Sequence, residues 1–358
     1  PLLYSVFSAN HERPTLLYWH QPNHWEETPE LPDFITACYD VKEVRSGEQL
    51  KKELGALRSY AFVGSETHIG TPATEPLKVI LNTWRTQKSA FEVAAVQQAN
   101  RIALKGHQLA EEAFRAGGTE LEIFHAYLKG CTATERDMPY NPIIACDEKG
   151  AVLHYQVKRP QRVPGQSLLI DAGYRCWGYA SDITRTYARQ KDVFHSLIAA
   201  IDAMQQNLVE SISEVTDFPK YHQHARQGVA SILVEHKLVD GSVESCVANK
   251  VVDVFFPHGI GHLLGILVHD VGGKRNPPPS DVPQYLRCHL NFQPGMVFTV
   301  EPGLYFNTML LDAAKADATF KDAINWRQVE AMVPFGGIRI EDNIHTRKGN
   351  QPQNLTRP

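Results

Sequence analysis

Residues 167–187 read Ser-Leu-Leu-Ile-Asp-Ala-Gly-Tyr-Arg-Cys-Trp-Gly-Tyr-Ala-Ser-Asp-Ile-Thr-Arg-Thr-Tyr. The apolar run Leu168-Leu169-Ile170 has the outline of a buried strand, and it ends on an acid, Asp171, ahead of Ala172-Gly173. A second strand is expected over Ser181–Tyr187, where two-residue alternation sets Asp182, Thr184 and Thr186 on one face. A carboxylate at the end of an apolar strand is costly to desolvate unless a cation meets it. Arg185 and Arg339 would satisfy two such acids, whereas a pair of divalent ions would satisfy all of them.

Further acids of this kind follow. Glu301 closes the strand expected over Met296–Glu301 and meets Pro302-Gly303. Arg339 and Glu341 share one face of the strand expected over Gly337–Ile344. Between Asp182 and Glu301 stands Pro257-His258-Gly-Ile-Gly-His262-Leu-Leu-Gly-Ile-Leu-Val-His269-Asp270. The spacing of His258 and His262 matches a helical zinc motif. Position 259 is Gly where that motif needs Glu, however, and two glycines between the histidines disfavour a helix. A glycine-rich turn entering a strand is expected instead, bringing imidazoles to a site from irregular backbone. Any one acid reads most simply as a salt bridge or cap, and a lone His154 in Val-Leu-His-Tyr as a buried strand residue. Three histidines in twelve positions, beside strand-end acids, point to metal chemistry.

A chain of 358 residues suggests two domains, an α/β lobe over 1–80 and a second domain over 81–358. Strand-like runs Pro14–Trp19 and Ala61–Gly64 flank a helix near Ser46–Leu57, and Gly70–Pro76 has linker composition. Capping boxes at Ser89/Glu92 and Thr119/Glu122 open two helices, with Gly117-Gly118 as a stop between them. Residues 192–213 and 218–237 read as amphipathic helices, and Lys274–Pro283 as a surface loop. Helices and strands thus mix, an α+β pattern. The net charge of −4, from 36 basic and 40 acidic residues without a basic block, argues against nucleic acid as a partner. No run of 18 apolar residues suggests a membrane helix. Cys38, Cys131, Cys146, Cys176, Cys246 and Cys288 are scattered, which fits packing thiols in the reducing cytoplasm.

Leu-Leu-Ile-Asp171-Ala-Gly, Ser-Asp182-Ile-Thr-Arg-Thr, Pro-His258-Gly-Ile-Gly-His262, Val-His269-Asp, Thr-Val-Glu301-Pro-Gly and Gly-Ile-Arg339-Ile-Glu341-Asp resemble, in order and spacing, the full motif set of the pita-bread metallopeptidases. That family includes methionine aminopeptidases, aminopeptidase P and Xaa-Pro dipeptidases. The flanks Phe-Phe-Pro-His258, Val-His269-Asp-Val-Gly-Gly and Pro334-Phe-Gly-Gly-Ile-Arg339 carry a narrower likeness, to bacterial Xaa-Pro dipeptidases (prolidases) and organophosphorus acid anhydrolases.

The resemblance implies a pita-bread (creatinase/aminopeptidase-like) catalytic domain, a smaller and incomplete amino-terminal α/β domain, and a homodimer. It implies two divalent ions on Asp171, Asp182, His262, Glu301 and Glu341, with Asp182 and Glu341 bridging. Four carboxylates to one imidazole favour hard Mn²⁺ over Co²⁺ or Zn²⁺. Two ions about 3.5–4 Å apart share a water and lower its pKa from about 16 toward 7. The bridging hydroxide would cut dipeptides ending in proline, with organophosphate hydrolysis as a side activity. Glu301 would shuttle the proton, and His258 or His269 would stabilise the oxyanion. Arg339 would grip the substrate carboxylate with its two-pronged guanidinium. His154, Tyr140, His258, His269 and Arg339 would line the substrate pocket, and Phe218 stands where relatives carry a pocket Tyr. The alternatives are aminopeptidase P or another pita-bread aminopeptidase, and a non-catalytic pita-bread binding module.

Overall fold

The computed structural model describes residues 2–7, 12–19, 24–25, 30–55, 61–64, 71–275, 280, 282–349 and 352–357. The chain divides into two units at Lys78–Val79. In the first, β1 (Leu2–Val6) pairs antiparallel with β2 (Thr15–Trp19). After α1 (Asp33–Cys38), β3 (Asp40–Val44) runs parallel to β2, and α2 (Gly47–Gly55) follows. Leu50 and Leu54, one turn apart on α2, pack with Leu17 and Val44. β4 (Ala61–Phe62) pairs with β5 (Thr71–Pro72). Within the expected linker, Thr71–Pro72 is paired, and Glu75-Pro76 opens α3 (Glu75–Thr86). Proline suits the first turn of a helix, where its missing N–H has no partner to lose. Gly70 and Leu57 lie outside the described residues.

In the second unit α4 (Ala90–Arg115) and α5 (Glu120–Cys131) open on the expected capping boxes. The two helices touch through glycines. A Cβ on Gly106 would lie 2.5 Å from Cys131 Sγ, and one on Gly130 would lie 2.7 Å from Gly106 Cα. Gly130→Ala is therefore expected to destabilise the protein by about 1–3 kcal/mol through overpacking, despite alanine's better helix propensity. Urea denaturation with an unchanged m-value would show it; a stabilised variant would refute the close crossing.

β6 (Ile143–Cys146) and β7 (Ser167–Asp171) precede a short hairpin, β8 (Arg175–Cys176) and β9 (Tyr179–Ala180), and then β10 (Thr184–Ala188). β7 pairs antiparallel with both β6 and β10, which sets Thr184 opposite Asp171. β10 starts later than expected, because the N–H of Asp182 donates to Asn343 Oδ1 rather than to a ladder. α6 (Val193–Glu210) and α7 (Phe218–Glu235) fall where periodicity put them. α8 (Val243–Ala248) and α9 (Val251–Phe255) were not foreseen, being too short to show a period.

β11 (Val297–Val300) and β12 (Gly303–Tyr305) follow, then the equally unforeseen α10 (Thr308–Ala316), α11 (Ala318–Lys321) and α12 (Trp326–Met332). β13 (Gly337–Arg339), β14 (Asp342–His345) and β15 (Gln353–Asn354) complete the unit. The strand expected over 337–344 breaks at Ile340-Glu341: β13 pairs with β12, and β14 pairs with β11 and β15. Glu341 sits at this switch and bridges to Thr184. Residues 258–273 enter no strand, but residues 260–264 run along β11, with Leu263 bridged to Phe298. Phe218 is fully buried in the main core, its ring 4.7 Å from Phe292 and 5.0 Å from Phe298, so it is not a pocket residue. Antiparallel strands intermixed with helices make the fold α+β.

Candidate active site

The strand ends bring the expected acids to one place. Tyr140 lies behind two of them, its hydroxyl 2.7 Å from Asp171 Oδ1 and 2.5 Å from Asp182 Oδ1. One proton is shared between two carboxylates. His262 Nε2 stands 3.5 Å from Asp182 Oδ2 and 3.6 Å from Glu301 Oε1. Ligand atoms of Asp182, His262 and Glu341 lie within 4.8 Å of one another. The Thr184 hydroxyl donates to Glu341 Oε2 at 2.6 Å, and Thr299 Oγ1 reaches Glu301 Oε1 at 3.4 Å.

Local sequence explains the convergence. Asn343 accepts from Asp182 N–H and donates to Asp182 C=O, holding that acid's backbone from both sides. His262 is held by its backbone N–H on Thr299 Oγ1, and its Nδ1–H donates to Leu263 O at 3.1 Å, which leaves Nε2 facing the acids. Asp171, Asp182, His262, Glu301 and Glu341 all line one cavity of about 370 Å³, together with His154, His258, His269 and Arg339. His154 is exposed in a loop, not buried in a strand. Tyr140 is not on this cavity's wall and lines a neighbouring one.

The charge balance is lopsided. Burial first, then the fields of Asp182, Glu301 and Asp171, push the Glu341 carboxyl well above its ordinary value. Burial likewise lifts Glu301 to about 7, and raises Asp171 against the pull of Arg339. Burial opposes charging His262, but its bond to Asp182 and the field of Glu301 outweigh that and raise it. Carboxylates pushed up in this way mark negative charge that the protein's own cations do not balance. Oxygen-rich donors with a single imidazole suit hard divalent ions, so the donor set fits the metals expected.

Two of the expected residues are bonded within the protein. Arg339 is engaged within the protein: Nη2 on Asp171 Oδ2 (2.5 Å), Nη1 on Tyr305 OH (2.9 Å) and Nε on Thr184 Oγ1 (3.2 Å). It braces the acids, and one N–H on each terminal nitrogen stays outside these three bonds. His258 Nδ1 lies 2.9 Å from Gly259 O and must donate to it, so Nε2 accepts from Tyr305 OH at 2.9 Å. Neither nitrogen of His258 remains to donate to an oxyanion. His269 differs. Its ring packs edge-on to His262 at 4.3 Å, and among the described residues no protein group bonds its nitrogens. His269 is exposed on the cavity wall, and partial desolvation there lowers it to about 4, which favours the neutral imidazole.

Sequence reasoning missed Tyr305, Lys274, Gln284, Tyr285 and Arg287. Tyr305 links Arg339 to His258, and the other four line the cavity. Only Tyr305 carried a signal, four positions after Glu301 in Glu-Pro-Gly-Leu-Tyr.

The sequence profile of metallopeptidase family M24 matches residues 94–348. This chain belongs to family M24. The M24 assignment makes it a metal-dependent peptidase. Among curated relatives, an Xaa-Pro dipeptidase from Aeromonas hydrophila subsp. hydrophila is 39% identical, covering 96% of this chain and 82% of the relative. An Xaa-Pro dipeptidase from Xanthomonas axonopodis pv. citri is 38% identical, covering 97% and 81%. Among solved structures, proline aminopeptidase P II from Yersinia pestis is 27% identical with a TM-score of 0.71, covering 99% of this chain and 83% of that one. Zinc-substituted Escherichia coli aminopeptidase P in complex with product, at 23% identity and TM-score 0.73 over 96% and 80%, shares the fold.

Proposed function

We propose that this M24 chain hydrolyses Xaa-Pro dipeptides with two divalent ions held by Asp171, Asp182, His262, Glu301 and Glu341. The convergence of these five side chains on one cavity carries the reading. Ions held there would supply Lewis acidity for the scissile carbonyl and for a water. Glu301, on the cavity wall with its carboxyl lifted to about 7, would take a proton from the attacking water and return it to the leaving proline nitrogen. The neutral ring of His269 donates to the oxygen that gains charge. Arg339, braced by Tyr305 and Thr184, fixes Asp171 in place.

A dipeptide ends in a carboxylate, and a cation must meet it. Arg287 and Lys274 are exposed on the cavity wall, and among the described residues neither side chain has an acid partner. Arg287 is the better choice, because its planar donor pair matches a carboxylate. Arg287→Ala is expected to raise KM for Ala-Pro by about 10- to 100-fold, a loss of one charge-assisted contact, with a smaller change in kcat. An unchanged KM would move the role to Lys274.

The hard donor set favours Mn²⁺, and six free cysteines favour a reducing compartment, the cytoplasm. No helix is long and apolar enough to cross a membrane among the described residues. A homodimer is kept as what the resemblance to the family implies. Organophosphate hydrolysis is kept as a side activity. The deciding experiment is metal analysis with a peptide panel on metal-free and reloaded protein. Turnover of Gly-Pro and Ala-Pro, restored by Mn²⁺, is expected. A preference for longer Xaa-Pro peptides would make it an aminopeptidase P, and a protein that binds no metal and cuts nothing would be a binding module.

A further inference from the structure

No protein group bonds the His269 ring among the described residues, but the residue after it is tightly bound. The Asp270 side chain is 1% exposed, with one oxygen 3.1 Å from Lys88 Nζ and the other 2.5 Å from Arg85 Nη2. The Lys88 side chain is also 1% exposed, and its ammonium donates to the carbonyl of Arg85 as well. The N–H of Asp270 donates to Leu263 O at 2.9 Å, closing the base of the loop that ends in His269.

The loop lies hard against the α3–α4 junction. A Cβ on Gly265 would stand 2.9 Å from Lys88 Cε, and one on Gly272 would stand 2.5 Å from Asn82 O. The same junction holds the start of β11: the N–H of Lys88 donates to Gly295 O at 2.7 Å, and Gln87 bridges to Met296. Lys88 thus gathers both the His269 loop and the strand that leads to Thr299 and Glu301.

A fully buried ion pair is a poor way to gain stability, since an apolar pair of similar size does as well or better. What it does supply is a fixed geometry. We infer that Asp270, through its buried pair with Lys88, is the positioning residue that aims His269 at the scissile carbonyl. The inference deepens the dipeptidase reading and rests on it for the identity of the carbonyl. A side chain held by packing and ion pairs one residue away keeps its ring within the tolerance that catalysis needs, and a misplacement of about 1 Å costs about 10²-fold.

Asp270→Asn tests this, with Lys88→Met/Asp270→Asn as the variant that leaves no unpaired buried ammonium. Both are expected to keep two metals per chain and to lose about 10- to 100-fold in kcat on Ala-Pro, the range seen for supporting residues around a metal site, with KM little changed. In a His269→Ala background Asp270→Asn should cost less than about 2-fold more, because its effect runs through that ring. Amide exchange at 264–270 should speed up in both variants while α4 stays protected. Full additivity with His269→Ala, or lost metal, would overturn the inference. If wild type cuts no dipeptide, the functional reading falls, and exchange alone then decides: unchanged protection at 264–270 removes Asp270's role as well.

Discussion

Glu341→Gln is expected to abolish metal-dependent turnover while leaving the metal-free protein as stable as wild type, or more so. Glu341 is buried, sits where β13 gives way to β14, and shares its metal-facing cluster with Asp182 and His262. Without metal its negative charge is a burden, as its raised pKa records. Glutamine keeps the shape and can still accept the Thr184 hydroxyl bond, so the fold loses nothing. The difference shows only when ions bind. Ligand at about 100 times its Kd stabilises a folded protein by about 2.7 kcal/mol, and the variant should show little of this. Turnover should fall by about 10³-fold or more, because the polarised carbonyl and the acidified water are lost together. Thermal unfolding with and without Mn²⁺, beside metal content and Ala-Pro turnover, reads all three. A variant that keeps its metals and its rate would remove Glu341 from the ligand set.

Asp171 and Glu301 stand out in the chain because each ends an apolar run, which is a statement about desolvation and needs no three-dimensional knowledge. Asp182 follows Ser181, and Glu341 follows a run broken by Arg339, so the full donor set came from the resemblance in motif order; the glycines around His258 and His262 disfavour the helical zinc motif. The internal bonds of Arg339 and His258 were not readable. Both depend on Tyr305, which meets them from β12, and no local pattern tells an arginine that grips substrate from one that braces an acid. Arg287 and Lys274 escaped notice for the opposite reason: an exposed cation is commonplace until a cavity is found beside it. Among the elements, long capped helices such as α4 and α7 were legible. Helices of four to seven residues such as α9 and α12 form because tertiary packing holds them, and propensity alone says little about so short a run.

The second large effect concerns backbone. Gly261→Ala is expected to disable the site as thoroughly as loss of a ligand, although the residue carries no functional group. Residues 260–264 run along β11: Thr299 N–H donates to His262 O and Glu301 N–H to Ile260 O, both at 2.9 Å, and Leu264 N–H donates to Val297 O at 3.0 Å. That contact is possible because position 261 has no side chain. A Cβ there would press on the Thr299 carbonyl, with the carbonyl carbon at 2.9 Å and Oγ1 at 3.1 Å. The carbonyl belongs to the backbone of β11, which is paired with β14 and does not swing aside. The His262 segment must retreat, which opens the 3.6 Å approach of His262 to Glu301. Overpacking of this kind costs about 1–3 kcal/mol, and a ligand displaced by about 1 Å costs about 10²-fold in rate. Gly259 is the internal control, since a Cβ there meets the Leu286 side chain at 3.1 Å and its backbone only at 3.3 Å, a milder contact than the 2.9 Å at position 261. Gly259→Ala should therefore keep most of its activity and its metals, while Gly261→Ala loses both. Equal behaviour of the two alanines in melting temperature and Mn²⁺ affinity would mean that the close approach to β11 does not set the position of His262.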